Sequence, residues 1–277
     1  MVISDWVFPI TNHQSPITNP FMFGKIARFA SLFRRYGAGA FRLIINPLLG
    51  KPAWFDLHGD RVWLNFDRST YYHLLHSVDK LEKLVNAIPA DVDGVVVDGG
   101  ANHGIFSMLA ARHFPGKKIY AVEAYPKLLP ILEKNVAGKN IEIIPQALAA
   151  EDGEVSFFTS ETSDQMGSTI PENVEEFTAG APVQEVRVPA VSLANLVRQE
   201  GISKIAVLKL DVQGAEFSIL KPAAEVLAIT EYLVLEVCLI EKTAMELLEH
   251  VRKIFPHFKS VNPIIYGADI IFSKKPW

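Results

Sequence analysis

The chain has 277 residues, 49% of them apolar, and a formal net charge of −4. That length holds one large domain or two small ones, and that apolar share excludes a disordered chain. A single cysteine, Cys238, excludes a disulfide framework within one chain and leads us to expect a reducing, cytoplasmic setting.

Charge is unevenly placed. Trp6 to Phe55 carries six Lys or Arg and no acid, whereas Asn140 to Val186 carries ten acids and no Lys or Arg. Such blocks fit two surfaces that meet within the molecule or in an oligomer, or a basic N-terminal arm on an acidic lipid or partner. No secretory leader is expected, because Asp5, Pro9 and Pro16 leave no unbroken apolar core. No run reaches the roughly 18 apolar residues of a spanning helix. The negative balance, with no basic stripe interleaved with aromatics near the motifs below, speaks against a nucleic-acid partner.

In chain order, residues 1–18 read as a loose tail. Asn19-Pro20 supplies a capping side chain and a first-turn proline. Met22, Ile26, Phe29, Phe33 and Tyr36 then share one helical stripe, with Lys25, Arg28, Arg34 and Arg35 off it. This amphipathic helix packs on a core or gives residues 20–36 a peripheral membrane contact. Ala53–Leu57 and Arg61–Phe66 read as a hairpin around His58-Gly59-Asp60, and Ser69 to Ile88 as a helix.

The core sheet begins with strand Val95–Asp98 and a helix from Gly104 to His113. Strand Lys118–Val122, a helix opened by Pro126 and strand Ile141–Pro145 follow. Val155–Phe158 and Val186–Val188 read as added strands around a polar loop, Thr159–Pro182, that is long enough to be functional. A helix from Ser192, strand Ile205–Asp211, a helix from Ala215 to Leu227, strand Tyr232–Val237 and a helix Thr243–Phe255 come next. Phe258–Val261 and Ala268–Ser273 close the sheet. Alternation of this kind implies parallel strands joined by right-handed crossovers. The domain reading is therefore residues 1–52 as a tail with an amphipathic helix, and 53–277 as one α/β domain with an insert loop at 159–182.

Parallel strands present their carboxyl ends to one crevice, where ligands bind. Asp98, Glu123, Asp211 and Glu236 all fall at or near such ends. The densest stretch is Val95-Val-Val-Asp98-Gly-Gly100-Ala-Asn102-His-Gly104. Strand, glycine turn and helix in that order form a nucleotide- or nucleoside-binding corner. A dinucleotide fingerprint needs glycine at three set places, and here Asn102 occupies one of them. An acid at the strand tip repels a pyrophosphate but suits a ligand with a positive amino group. S-adenosylmethionine is such a ligand. Asp98 would orient the amides of its own turn or face that amino group. Gly100 and Gly104 permit close backbone approach, and Asn102 tolerates the dihedrals of such a turn. Glu123 lies at the distance expected for an acid that accepts from both ribose hydroxyls. The plainer reading is a solvated strand-end acid.

The second dense stretch is Lys209-Leu-Asp211-Val-Gln213-Gly-Ala-Glu216. Residues 209 and 211 share one strand face. Gly214 turns the chain, and Glu216 suits a helix start. A Lys–Asp pair at a central strand tip is an acid/base candidate, or simply structural.

Taken together, Asp98-Gly-Gly-Ala-Asn-His-Gly104, Val122-Glu123-Ala-Tyr-Pro126 and Leu208-Lys-Leu-Asp211-Val-Gln-Gly214-Ala-Glu216 resemble the FkbM family of S-adenosylmethionine-dependent methyltransferases. The likeness continues in Ala147-Leu148-Ala149, Asp152-Gly153 and Val188-Pro189-Ala-Val-Ser-Leu193, and spans roughly residues 60–275. It implies the class I methyltransferase fold, a Rossmann-like, mostly parallel seven-stranded sheet with an antiparallel last strand. It also implies that Asp98, Gly100, Asn102, Gly104 and Glu123 line the cofactor site, with adenine near Gln146, Ala147 and Leu148. It further implies methylation of oxygen, often a sugar or polyketide hydroxyl, or of nitrogen on modified peptides. Gln213 stands where the family carries Glu. An amide orients a substrate but is no base and weakens any metal site, so no metal is expected. His103 stands where an apolar residue is usual.

On this reading Asp211 is the base, assisted or held by Lys209, with His103 in reserve. Gln213, Glu236 and Ser168, the last in a contact segment Met166–Thr169, meet a small-molecule or glycan acceptor. Tyr72, with Tyr71 and His73, closes the methionine end of the cofactor. A nicotinamide-dependent reductase is disfavoured by Asn102, by Asp98 and by the lack of a Tyr-x-x-x-Lys donor. A non-catalytic binding subunit has only Gln213 in its favour.

Overall fold

The structure is a computed structural model, and it describes residues 46, 53–64, 68–160, 163–171, 182–238, 243–264 and 267–277. The chain divides into two compact units, Met1–Phe66 and Asp67–Trp277. The expected amphipathic helix at 20–36 lies outside the described residues. In the first unit, β1 (Ala53–Leu57) and β2 (Asp60–Leu64) form the expected antiparallel hairpin. Trp54 faces Trp63 across it, with the Arg61 guanidinium 4.4 Å from the Trp54 ring centroid.

The second unit opens with α1 (Arg68–Asn86) and then enters the main sheet. Its strands are β3 (Val95–Gly99), β4 (Ile119–Val122), β5 (Ile141–Ile144), β10 (Ile205–Leu210), β11 (Thr230–Cys238), β12 (His257–Ile264) and β13 (Gly267–Ser273). They lie in the order β12-β13-β11-β10-β3-β4-β5. All pairings are parallel except those of β13, which runs antiparallel to both β11 and β12. This is the class I methyltransferase sheet. Every residue of β4 and β10 is buried, as strands covered on both faces require. The cover comes from helices that follow the strands: α2 (Ile105–His113) and α3 (Leu129–Val136), then α4 (Leu193–Gln199), α5 (Glu216–Leu220), α6 (Ala224–Ile229) and α7 (Ala244–Arg252). α2 packs on α1 and α3, α4 on α6, and α5 on α7. The main core joins Val97, Leu208, Leu210, Leu233, Leu235 and Phe272 of the sheet to Leu196, Ile219 and Leu247 of the helices.

A smaller sheet of order β6-β9-β7-β8 is built from β6 (Ala147–Ala149), β7 (Gly153–Ser160), β8 (Ser163–Ser168) and β9 (Val183–Ser192). It packs Phe157, Val188 and Ala190 against Tyr125 and Leu128, with the Tyr125 and Phe157 rings stacked at 6.0 Å.

Three local expectations are corrected. The loop 159–182 opens with a strand, β8, on the edge of the smaller sheet. The helix expected from Ala215 to Leu227 is two, α5 and α6, because Pro222 offers no N–H to continue the first. Pro126 sits second in a turn closed by the Leu128 N–H on the Tyr125 carbonyl, and Pro130 is the proline of α3's first turn. Ser192 does cap α4, accepting from the Asn195 N–H at 3.2 Å.

Candidate active site

The glycine turn leaves β3 and is tied to the end of β4. The N–H groups of Gly100 and Ala101 donate to the Val122 carbonyl at 3.0 and 2.9 Å. Gly100, Asn102 and Gly104 all take left-handed backbone, with φ of 74°, 52° and 80°. This turns the Asn102 N–H onto Glu123 Oε2 at 2.7 Å, while the Tyr125 N–H reaches Oε1 at 2.8 Å. Glu123 is buried. Burial pushes its carboxyl up, and the two backbone N–H groups pull it back only in part. Each carboxylate oxygen keeps a second lone pair for a further donor.

The glycines are needed first by the protein itself. A Cβ on Gly100 would sit 2.0 Å from the Asp211 carbonyl oxygen. One on Gly104 would sit 2.6 Å from Leu132 Cδ1. The two motifs are therefore pressed backbone to backbone. The Asp211 N–H extends the contact by donating to the Gly99 carbonyl at 3.1 Å.

Below this contact lies a buried ion pair. Asp98 Oδ1 is 3.0 Å from Lys209 Nζ, without the alignment of a hydrogen bond, and Oδ2 accepts from Ser107 Oγ at 2.6 Å. Lys209 also donates to the Gly100 carbonyl at 2.9 Å and lies 3.8 Å from Asp211 Oδ2. Burial opposes the Lys209 charge, but the Asp98 and Asp211 carboxylates outweigh it and hold the ammonium above its ordinary range. Two expectations change here. Asp98 has no exposed surface and is committed to Lys209 and Ser107, so it orients its own turn and does not face a ligand's amino group. Lys209 fastens that turn to the end of β10 and is too enclosed to relay protons.

His103 is also corrected. It is fully buried, its N–H donates to Asn102 Oδ1 at 2.8 Å, its ring Nδ1 meets that same oxygen, and its carbonyl accepts from Asn135 Nδ2. Burial pushes the imidazole down to about 4, far from the range of a base at neutral pH.

Past β10 the chain turns through Gln213, which has φ of 56°. Glu216 staples this turn, accepting from the N–H groups of Val212 and Gly214 at 2.9 and 3.0 Å. Gln213 Nε2 donates to Asp211 Oδ1 at 2.9 Å. Ser168, expected to meet an acceptor, is instead buried. Its hydroxyl donates to the Gln213 carbonyl at 2.8 Å and accepts from the Ile170 N–H at 3.0 Å. It docks the end of β8 on the motif turn.

The Asp211 carboxylate, about a quarter exposed, follows the end of β10 beside Glu236 of the neighbouring parallel strand β11, where Leu210 pairs with Leu235. Lys80 of α1 reaches both Glu236 Oε1 at 2.9 Å and Asp269 Oδ1 of β13 at 3.0 Å. Burial raises the Asp211 carboxyl, but Lys209 and Lys80 outweigh it and set it below its ordinary value. Glu236 moves the other way, raised to about 7 by the Asp211 charge and then by burial. The sequence reading missed Lys80 and Asp269. A trace of the second was there: an acid between Ala268 and the apolar run Ile270-Ile271-Phe272. Of the remaining expected residues, Ala147 is buried in the small core beside Tyr125. Tyr72 lies in α1, and its side chain is outside what is described.

A family model, the methyltransferase FkbM domain, matches residues 98–260. The chain belongs to the FkbM methyltransferase family. The matched stretch holds the glycine turn, Glu123, the Lys209–Glu216 motif and Glu236, while Lys80 and Asp269 lie outside it. Among curated relatives, Methyltransferase 1 of Beauveria bassiana is 23% identical over 163 residues, covering 53% of this chain and 65% of its own length. Methyltransferase sdnD of Sordaria araneosa is 26% identical over 158 residues, covering 47% of this chain and 60% of its own length. The chain thus spans less than two thirds of either relative. A crystal structure of the FkbM methyltransferase of Methylobacillus flagellatus aligns over 91% of this chain and 60% of its own, at 12% identity and a TM-score of 0.45. A S-adenosylmethionine-dependent methyltransferase from Agrobacterium tumefaciens aligns over 81% and 70%, at the same identity and TM-score.

Proposed function

We propose that this FkbM-family chain is an S-adenosylmethionine-dependent methyltransferase that acts on a hydroxyl of a sugar or of another small natural-product or glycan acceptor. The observation that carries the reading is the Glu123 carboxylate at the end of β4, anchored by Asn102 and Tyr125 with one lone pair left on each oxygen. That pair of acceptors fits the two hydroxyls of a ribose. The Glu123 carboxylate beside the turn repels a pyrophosphate. When bound, the cofactor supplies an electrophilic methyl group.

The chain's own residues do the rest. Glu123 grips the sugar, Gly100 and Asn102 shape the wall beside it, and Ala147 with Leu148 offers an apolar edge to the adenine. Asp98 and Lys209 hold the turn rigid from below. Asp211 takes the acceptor's proton, and Gln213 fixes the direction of its carboxylate. A carboxylate base supports oxygen over nitrogen as the target. A neutral amine attacks with its free lone pair, whereas a hydroxyl gains most from a base that removes its proton as the bond forms.

Titration calorimetry with S-adenosylmethionine and with a nicotinamide dinucleotide tests the reading. Heat with the first and none with the second is expected, and the Glu123→Ala protein should lose the first. Binding of the nicotinamide compound alone would overturn it. Transfer of labelled methyl to a panel of hydroxyl and amine acceptors then separates the two targets.

A further inference from the structure

Asp211, Glu236 and Asp269 bring three acids to one end of the sheet, and the structure places one cation, Lys80, between two of them. Leu210 pairs with Leu235, so the next residues, Asp211 and Glu236, stand side by side on parallel strands. Two carboxylates held this close do not both ionise freely, so the pair favours keeping one proton. Asp211 ends the parallel strand β10 and Glu236 lies near the end of its parallel neighbour β11. Asp269 stands opposite Glu236 because β13 runs antiparallel to β11. Lys80 ties Glu236 to Asp269 from a helix laid over these strands.

We propose that Asp211 and Glu236 form a single proton-binding site shared by two carboxylates, with Lys80 as the positioning residue that keeps Glu236 against Asp211. The site is the proton acceptor of the methyl transfer proposed above, and its role in catalysis rests on that reading. At and above about pH 7 the pair is also present doubly ionised, and in that form it takes the proton of an acceptor hydroxyl that gains the cofactor's methyl group, its charge going from two negatives to one. Asp211 and Glu236 are each about a quarter to a third exposed, so an acceptor can reach the site, whereas Asp269 is buried and serves as the anchor.

The charges facing the pair come from three elements. Lys209 stands on β10 beside Asp211, Lys80 on α1, and Asp269 on β13. Asp211 repels charge on Glu236 and Lys80 supports it, and the result sits near neutrality, where a base serves best. Asp269 is the second negative partner of Lys80 and limits how much of its charge Glu236 receives.

Carboxyl NMR titration of the full chain, labelled with carbon-13 in Asp and Glu side chains, tests the proposal without any acceptor. The expected result is a Glu236 midpoint close to 7, mirrored by a shift at Asp211. Asp211→Asn should drop that midpoint by about one unit or more, and Lys80→Met should raise it by a similar amount. Lys80→Arg should restore it, which a merely structural role would not demand. A Glu236 midpoint in the ordinary glutamate range, or one indifferent to Asp211→Asn, would overturn the shared site. If Lys80→Met fails to fold, Lys80→Arg and Asp211→Asn still decide. If the pair titrates as stated but calorimetry shows no S-adenosylmethionine bound, the shared proton stands and the transfer reading falls.

Discussion

Two side chains give the protein opposing responses to pH. Glu236 is raised from 4.5 to about 7, so the fold favours its protonated form. The stability this contributes is whole below 4.5 and is lost as pH rises to about 7. His103 is lowered from 6.5 to about 4 by burial, so its contribution is whole above 6.5 and is lost as pH falls through about 4. Between these limits the two slopes oppose one another. Urea unfolding across pH 4.5 to 7 should therefore show the wild type losing stability relative to Glu236→Gln as pH rises. Gly100→Ala addresses the contact between the motifs. Its methyl group would collide with the Asp211 backbone, at a φ that already disfavours a side chain. A loss of about 2 kcal/mol or more in urea unfolding is expected, with cofactor heat lost in calorimetry. What is local could be read from the sequence. Asn102 in a left-handed turn and Glu123 at a strand end both follow from neighbours in sequence. Burial does not follow in that way. Asp98, His103 and Ser168 carry polar groups that suit a ligand as well as they suit an internal partner, and only packing reveals which they have.

Elements with continuous apolar runs, such as β3 and β10, were legible because a strand buried on both faces admits little else. β8 was not. Its sequence, Ser163-Asp-Gln-Met-Gly-Ser168, has neither the alternation nor the branched residues of a strand. It is a strand because β7 offers an edge to pair with, and because Ser168 fastens its end to the Gln213 carbonyl. Ser168→Ala removes that fastening and takes one hydrogen bond from each of two half-buried backbone groups, the Gln213 carbonyl and the Ile170 N–H. The expected cost is about 1 to 2 kcal/mol in urea unfolding. A weaker response to any acceptor is expected too, since the released turn carries Asp211. Lys80 was illegible for another reason. On α1 it is one of two lysines, and nothing local distinguishes it from Lys83 as the one that crosses to β11 and β13.

Across the whole sheet, order decides which residues meet. Neighbouring parallel strands β3, β10 and β11 bring Asp98, Lys209, Asp211 and Glu236 to one edge, as a chain-order reading of strand ends anticipates. The antiparallel β13 breaks that rule. It delivers a residue from its beginning, Asp269, to the rim where its neighbours end. Asp269→Asn should leave more of the Lys80 charge to Glu236, lowering the pH at which Glu236 ionises. The same carboxyl NMR would read this as a midpoint below about 7.

The place of β13 has a practical corollary. It is wedged between β11 and β12, yet it follows both in the chain and falls beyond residue 260, where the family match stops. A fragment trimmed to those family boundaries would strand what remains of β12 without β13, its hydrogen-bonded neighbour in the sheet order, and bare the flank of β11. It would also discard both anchors of Glu236. Recombinant work on this protein should keep the chain from α1 through Trp277, or risk studying this rim with its outer wall removed.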